Sequence, residues 1–201
     1  MEQDETILFP DVPTVPTKPE KFRHVIFDTN GNTSPNSPIV IPVKELRYFL
    51  VDQFPTSKTR PHGWNTLMKV FWILNQIMRL QTFELWVHGL YTQDFLDPPF
   101  IEMTAFVCSE ELGQLSSEDK KLVSAFLISS RGPIHETSRM QNIMKKHRMT
   151  LEIFACVRDP GHPCYEVTKN VYTRMRKGFL RDPCARPTGY FVCRSEGPIY
   201  P

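Results

Sequence analysis

Hydrophobic residues recur with a helical period in one long stretch of the chain, from Trp64 to Leu80. The apolar positions at spacings of three and four are Trp64, Leu67, Met68, Phe71, Leu74 and Met78, and Val70, Ile73 and Ile77 widen the stripe. This spacing places the side chains on one face of an α-helix and predicts the central buried helix of the fold. The stretch is too short and too polar to be a membrane span, which needs about 20 predominantly apolar residues.

Alternation of apolar and polar positions predicts β-strands elsewhere. Such strands are expected at Lys21–Asp28, Phe83–Tyr91, Phe100–Cys108, Arg148–Arg158 and Gly189–Arg194, and Ile39–Val43, bounded by prolines, is expected at a sheet edge. The second and third of these flank the turn Asp97-Pro98-Pro99, which predicts an antiparallel pair.

The remaining segments are predicted to be helices and loops. Lys44–Phe54 is expected to form a short helix, and the breaker-rich Pro55–Gly63 an exposed loop with two basic residues. Ser117-Glu118-Asp119 can cap a helix or precede a strand that runs to Ile128. Tyr165–Phe179 is predicted to be a basic amphipathic helix ending at Gly178, with an apolar stripe of Val167, Val171, Met175 and Phe179.

This order of elements predicts an α+β fold in a single compact domain. We expect a mostly antiparallel sheet packed on the central apolar helix, together with a basic C-terminal helix. Residues 1–20 are expected to be a disordered, acidic and proline-rich tail, because prolines at 10, 13, 16 and 19 fix extended backbone. The globular domain is predicted to span 21–195, with a second tail at 196–201.

Positive charge is concentrated in the C-terminal third. The whole chain holds 24 Lys and Arg against 22 Asp and Glu, but residues 1–100 hold 9 basic and 11 acidic residues, whereas 131–194 hold 13 and 5. Such a field favours partners that carry phosphate, either nucleic acid or an anionic membrane leaflet. The alternative is that these residues are scattered, solvated side chains.

Enzyme and metal signatures are weak in this sequence. The phosphate-binding, dinucleotide-binding, zinc-protease and nucleophile-elbow motifs are absent, so we expect no catalytic activity and no cofactor. Structural zinc sites usually contain pairs of closely spaced ligands. No such pair occurs among the candidate ligands Cys156, His162, Cys164, Cys184 and Cys193. The acidic start has no signal-peptide pattern, which predicts synthesis in the cytosol, and in that reducing compartment the five cysteines are most simply small hydrophobic side chains or free thiols. A catalytic pair of Cys164 and His162 stays open as a less favoured alternative.

Several stretches resemble the matrix proteins of rhabdoviruses. The turn Ser130-Arg131-Gly132-Pro133 after an apolar run is similar to the lyssavirus pattern. The strand from Met149, followed by a turn, a helix and the final Gly189-Tyr-Phe-Val strand, is similar to the vesiculovirus pattern. A length near 200 residues also fits. The basic N-terminal arm and the P-P-x-Y motif of animal-virus members are missing, which suits a plant or arthropod virus better.

The resemblance implies a structural protein that self-associates, condenses the viral nucleocapsid and links it to the inner face of the membrane during budding. Its partners would be further copies of itself, the nucleocapsid, an anionic membrane surface and host factors. It would be found in the virion, in the host cytoplasm and at the membrane, with the nucleus as a further compartment. Self-association is expected through Ile7, Leu8, Phe9 and Pro10.

Binding to the membrane or nucleocapsid is expected to use the basic residues Arg131, Lys145, Lys146, Arg148, Lys169, Arg174, Arg176, Lys177 and Arg181. The two clusters at 145–148 and 174–181 are expected to come together on one face. A competing hypothesis is a small nucleic-acid-binding regulator, such as a viral silencing suppressor, that uses the same basic third. Arg131 has an alternative role as the ion-pair partner of Glu136.

Overall fold

The computed structural model describes residues 17–77, 79–124, 127–128, 145–180 and 189–195. The predicted self-association segment Ile7–Pro10 and the predicted binding residues Arg131 and Arg181 lie outside these ranges. So do most of the predicted N-terminal tail and the whole C-terminal tail. The expectation of disorder in residues 1–16 and 196–201 therefore stays a prediction.

Among the described residues, a six-stranded mixed sheet forms the middle layer of the α+β fold. Its strands are β3 (Pro38–Val40), β4 (Phe83–His88), β5 (Ile101–Cys108), β6 (Leu127–Ile128), β7 (Met149–Cys156) and β8 (Tyr190–Arg194), in the spatial order β3-β8-β4-β5-β7-β6. β4 pairs antiparallel with both its neighbours, β5 and β8, while the other three pairings are parallel. The antiparallel pairing of β4 with β5 is confirmed, but the expectation of a mostly antiparallel sheet is wrong.

The parallel pairings follow from the connections between strands. β5 and β7 run parallel in register from Ile101 opposite Met149 to Cys108 opposite Cys156. The chain between them contains helices α3 (Ser109–Gly113) and α4 (Ser117–Ser124) and is long enough to return to the starting end of the sheet. Alternation within a strand predicts which side chains are buried but says nothing about the direction of the neighbouring strand.

Helices cover the first face of the sheet. α1 (Val43–Arg47) continues into a π-helical turn at Tyr48–Asp52, and α2 (Arg60–Trp72) continues into another at Ile73–Ile77. Phe71 of α2 packs edge-on against Phe83 of β4, with ring centroids 5.1 Å apart. The largest hydrophobic cluster lies here and includes Leu50, Leu67, Val70, Leu85, Val87, Met103 and Leu151. α2 buries one face only, so it is a surface helix rather than a central one.

Helix α5 (Tyr165–Leu180) covers part of the second face. Its Tyr172 packs against Trp86 of β4 and Phe106 of β5, with ring centroids 5.3 and 5.0 Å away. Beyond Tyr172, the inward side chains are Tyr165 and Met175, so the predicted stripe is displaced around the helix and Val167 is 52 % exposed. A four-residue interval rotates away from a fixed line, because an α-helix has 3.6 residues per turn. The helix also continues through Gly178 instead of ending there.

The first described segment departs from the predicted strand at Lys21–Asp28. Glu20–Phe22 forms a 3₁₀ turn, and only Ile26–Phe27 (β1) is extended, paired with Thr33–Ser34 (β2). Phe22 and Val25 are both buried, a three-residue spacing that fits a turn and not a strand. The chain already contacts the domain at Lys18, whose Nζ donates to the carbonyl oxygen of Val25 at 2.5 Å. Contacts with the domain thus begin before the predicted boundary at residue 20.

Arg60 corrects the prediction that Pro55–Gly63 is an exposed loop. Its side chain is fully buried at the start of α2, and its guanidinium lies 3.5 Å from the ring centroid of Phe54. The guanidinium donates hydrogen bonds of 2.7–3.1 Å to the carbonyl oxygens of Leu50, Tyr91, Gln93 and Phe95. Burial lowers the pKa of Arg60 to about 10, so it remains charged at neutral pH. This residue joins three segments of the chain at one end of the sheet.

Candidate binding surfaces

The first group of predicted basic residues lies beside helix α2. Thr66 Oγ1 in α2 donates to the carbonyl oxygen of His147 at 3.2 Å, which holds residues 145–148 against that helix. The pKa of His147 is lowered mainly by burial. Lys69, Lys146 and His62 lower it further through their charges, so these side chains are close neighbours of His147. We call this group the α2-side surface; its exposed cations are Lys69, Lys145, Lys146 and Arg148.

Arg148 is fixed at the junction between this surface and the sheet. Its backbone φ is 49°, in the left-handed region that arginine rarely adopts. Its carbonyl oxygen accepts the backbone N–H of Ile101 at 2.9 Å, immediately before the pairing of β5 with β7 begins. The α2-side surface therefore reaches the end of the sheet at which β5 and β7 start.

The second group of predicted basic residues lies along α5. Lys169, Arg174, Arg176 and Lys177 are all exposed, while Tyr172 on the inner side is buried. We call these four residues the α5 surface. Arg176 is close to Tyr190 of β8, since its charge opposes the rise in the pKa of Tyr190 that burial causes. Lys169 lies 3.8 Å from Glu166, an exposed ion pair.

The two basic surfaces face opposite sides of the sheet. α2 packs on the face that contains Leu85 and Val87, whereas α5 packs on the face that contains Trp86. The expectation that the two basic clusters come together on one face is therefore wrong. Side chains of neighbouring residues in a strand point to opposite faces, and helices bound to those faces carry their charges apart.

Several polar side chains lie together on the second face, between α5 and the start of β7. His88 Nδ1 lies 3.3 Å from a carboxylate oxygen of Glu102, and His88 Nε2 lies 3.1 Å from Thr104 Oγ1. Glu152 faces the same side in β7, where burial and the neighbouring Glu102 raise its pKa. Two carboxyl groups at this position oppose the binding of a phosphate there.

Glu84 anchors α5 to the sheet from beneath. Its carboxylate, fully buried, accepts hydrogen bonds from Trp86 Nε1 at 2.9 Å, Tyr172 Oη at 2.8 Å and Arg194 Nε at 2.9 Å. A buried carboxylate with three donors is stable because each donor replaces a lost bond to water. The α5 surface is thus held rigidly on the sheet.

An apolar loop missed by the sequence analysis lies at the end of the sheet beside Arg148. Between the 3₁₀ turn Gly89–Thr92 and β5, the side chains of Phe95, Leu96 and Phe100 are 46 %, 48 % and 37 % exposed. We call residues 95–100 the apolar loop. The sequence signal is the pair of aromatic residues Phe95 and Phe100 on either side of Asp97-Pro98-Pro99, which predicts a turn and, at Phe100, the start of a strand, but not an exposed apolar surface.

The cysteines and His162 show no arrangement for catalysis among the described residues. Cys108, Cys156 and Cys193 are buried, and burial raises the pKa of the Cys156 and Cys193 thiols to about 12. His162 Nδ1 accepts the backbone N–H of Cys164 at 3.1 Å, a turn contact that does not involve the thiol. Cys184 lies outside the described residues, and within them no three His, Cys, Asp or Glu side chains are grouped as metal ligands.

No helix in the described part of the chain has the length and apolar character needed to cross a membrane. Comparison with protein families, with curated proteins and with solved structures finds no match.

Proposed function

We propose that this protein is a matrix-type structural protein that links a viral nucleocapsid to the inner face of a membrane and associates with further copies of itself. The observation that supports this role is the presence of two exposed basic surfaces on opposite sides of one sheet. A protein that bridges two negatively charged partners needs two such surfaces. No catalytic role is proposed for any residue.

The α2-side surface is assigned to the anionic membrane. It holds four exposed cations and two histidines, and each Lys or Arg near an anionic leaflet contributes about 1 kcal/mol at moderate ionic strength. It also adjoins the apolar loop through the bond between Ile101 and Arg148. Both properties are typical of peripheral membrane binding.

The α5 surface is assigned to the nucleocapsid. Its four cations are exposed along a single helix, so several of them can reach neighbouring phosphates together. The bond of Glu84 to Tyr172 holds the helix in place before the partner arrives. Pre-organisation of this kind reduces the entropy lost on binding.

Self-association is proposed to use Ile7, Leu8, Phe9 and Pro10. The seven residues that follow Pro10, up to the first described residue, Thr17, can span at most roughly 23 Å, enough to reach a neighbouring copy. Burial of each of the three apolar side chains would contribute about 1.5–3 kcal/mol. Weak contacts of this size suffice when many act together in an assembly.

A charge-reversal experiment tests the bridging role. Full-length protein is mixed with phosphatidylserine-containing vesicles and labelled single-stranded RNA, and vesicle-bound RNA is measured after flotation. K145E/K146E is expected to lose vesicle binding and keep RNA binding, and R174E/K177E is expected to do the reverse. K120E/K121E in α4 changes the net charge by the same amount at exposed residues outside both surfaces, and it is the control for overall charge. Loss of both activities in either double variant, or of neither, would contradict two separate surfaces.

Sedimentation velocity tests self-association. The full chain and a chain lacking residues 1–16 are compared over a concentration series at low and moderate salt. This truncation keeps Lys18 and its bond to Val25. We expect polymers from the full chain and monomers from the shortened one. Monomers from both, with RNA binding intact and no vesicle binding, would favour the alternative of a nucleic-acid-binding regulator that uses the α5 surface.

A further inference from the structure

The apolar loop concentrates exposed hydrophobic side chains at one place. In the described part of the chain, the other large exposed apolar residues are each on a different element: Ile26, Val40, Trp72 and Val167. Phe95, Leu96 and Phe100, in contrast, lie within six consecutive residues. Single exposed apolar residues are normal on a protein surface, but a group of three in one loop indicates a contact with an apolar partner.

A rigid base holds this loop in position. Arg60 donates from Nε and from an Nη nitrogen to the carbonyl oxygen of Phe95, at 3.1 and 2.7 Å. Asp97 Oδ1 accepts the backbone N–H groups of Lys58 and Thr59, at 2.7 and 3.2 Å, and the hydroxyl of Ser57 at 3.0 Å. The backbone of the loop is therefore fixed while its apolar side chains face the solvent. Little further ordering is required when they are buried in a partner.

Basic side chains flank the apolar tip. Lys58 is exposed and adjoins the loop at Asp97, and Arg148 is exposed and adjoins it at Ile101. The carboxylate of Asp97 is occupied by its hydrogen bonds, which lower its pKa, and Asp94 is the exposed acid next to the loop. Aromatic and aliphatic side chains bordered by cations are the composition of a surface that enters the interface of an anionic bilayer.

We propose that Phe95, Leu96 and Phe100 insert into the acyl boundary of an anionic leaflet, with Lys58 and Arg148 contacting the lipid headgroups. This inference rests on the proposed membrane contact and specifies how it is made. Electrostatic attraction of the α2-side surface brings the protein to the membrane, and insertion of the apolar loop retains it. Attraction between exposed charges is screened by salt, whereas burial of apolar side chains is not. The two contributions can therefore be separated experimentally.

The experiment measures vesicle binding of the full-length protein at low and high salt. Vesicles of phosphatidylcholine with phosphatidylserine are compared with vesicles of phosphatidylcholine alone. The variant F95S/L96S/F100S is expected to lose the binding that persists at high salt, by about tenfold or more. The variant K58Q/R148Q is expected to lose binding at low salt, by about fivefold for each charge removed, and to keep the salt-resistant part.

Two controls complete the design. Val167→Ser removes an apolar side chain of similar exposure from α5 and is expected to bind vesicles as the unaltered protein does. Thermal unfolding by circular dichroism checks that each variant is folded, and Leu96→Ser alone serves if the triple variant is not. Salt-resistant binding that survives in Leu96→Ser and in the triple variant would overturn the inference.

The outcomes also separate this inference from the proposed function. If the loop variants match the unaltered protein at high salt while low-salt binding stays dependent on anionic lipid, insertion is wrong and the membrane contact of the α2-side surface stands. If the unaltered protein binds neither kind of vesicle, both are wrong. If the loop variants bind vesicles normally but no longer self-associate, the loop is a contact between copies, and the inference is overturned.

Discussion

Tyr172 of α5 donates its hydroxyl hydrogen to a carboxylate oxygen of Glu84 in β4 across a distance of 2.8 Å, although the two residues are 88 positions apart in the chain. Both side chains are buried, and aromatic rings surround them. The bond is therefore shielded from water and fixes where α5 lies on the second face.

Tyr172→Phe removes only the hydroxyl group and leaves the ring in place. We expect it to lower the free energy of unfolding by about 1–3 kcal/mol, because one donor to a buried carboxylate is lost. Denaturant unfolding monitored by tryptophan fluorescence measures the change, since Trp86 lies in the same cluster. Tyr48→Phe, at a half-exposed residue on the first face, is the matched control. Equal stability of the two variants would mean that the hydroxyl contributes nothing.

Replacement of Arg60 is expected to lower the free energy of unfolding by more than replacement of Tyr172 does. Arg60→Met removes the donors to four backbone carbonyl groups, and we expect a loss of more than about 3 kcal/mol in the free energy of unfolding. Arg60→Lys is expected to recover little of the stability lost in Arg60→Met, because a lysine ammonium has only three donors and lacks the planar geometry of a guanidinium. The exposed Lys58→Met should change stability by less than about 0.5 kcal/mol. A stable, fully folded Arg60→Met protein would refute the structural role of this residue.

Replacement of a glycine by alanine is expected to change stability in opposite directions at two helical positions, Gly63 and Gly178. A Cβ atom at Gly63 in α2 would overlap the hydroxyl and ring of Tyr91, so Gly63→Ala is expected to destabilise the protein by about 1–3 kcal/mol despite alanine's better helix propensity. A Cβ atom at Gly178 in α5 meets no atom within 4 Å. Gly178→Ala is therefore expected to stabilise it by about 0.5–1 kcal/mol. Thermal unfolding of the pair checks the signs, and a shift of both melting temperatures in one direction would contradict the packing at Tyr91.

His147 makes stability depend on pH. Burial and neighbouring positive charges hold its pKa below the ordinary value of about 6.5, so the unfolded chain binds more protons in the window just below that value. Stability should therefore fall as pH drops through this window. The contribution is expected to be less than about 1 kcal/mol, because the ring is partly exposed.

Denaturant unfolding at a series of pH values tests this contribution. His147→Asn should show a shallower loss of stability between neutral and mildly acidic pH than the unaltered protein does. His24→Gln, at an exposed histidine, is the control. An identical pH dependence in His147→Asn and the unaltered protein would show that His147 titrates as freely in the folded state as in the unfolded one.

Local patterns predicted most of the elements but not their arrangement. The alternation of Met149, Leu151 and Ile153 correctly predicted the buried face of β7, and the pairing of β4 with β5 followed from the turn between them. The parallel pairing of β5 with β7 depends on chain directions that no short stretch of sequence encodes. Placement of the two basic clusters on opposite faces depends in turn on that topology.

Arg60 and the apolar loop show a second limit of sequence reasoning. An arginine among prolines, threonines and glycine has the composition of an exposed loop, and its burial becomes apparent only when the carbonyl groups of Tyr91, Gln93 and Phe95 converge on it. The exposure of Phe95 and Leu96 is likewise a result of packing, since aromatic and aliphatic residues ordinarily predict core. Both features arise from contacts between distant parts of the chain.

The position of β8 has a consequence for how the chain is made. β8 lies between β3 and β4, and it is the last of the described strands to leave the ribosome. A nascent chain that has reached Leu180 can hold β3 and β4 only with a vacant strand position between them. The sheet closes after residues 190–194 emerge and insert, so chaperones would meet a nascent chain with two unpaired inner edges. A premature stop codon anywhere before Tyr190 would leave that gap permanently open.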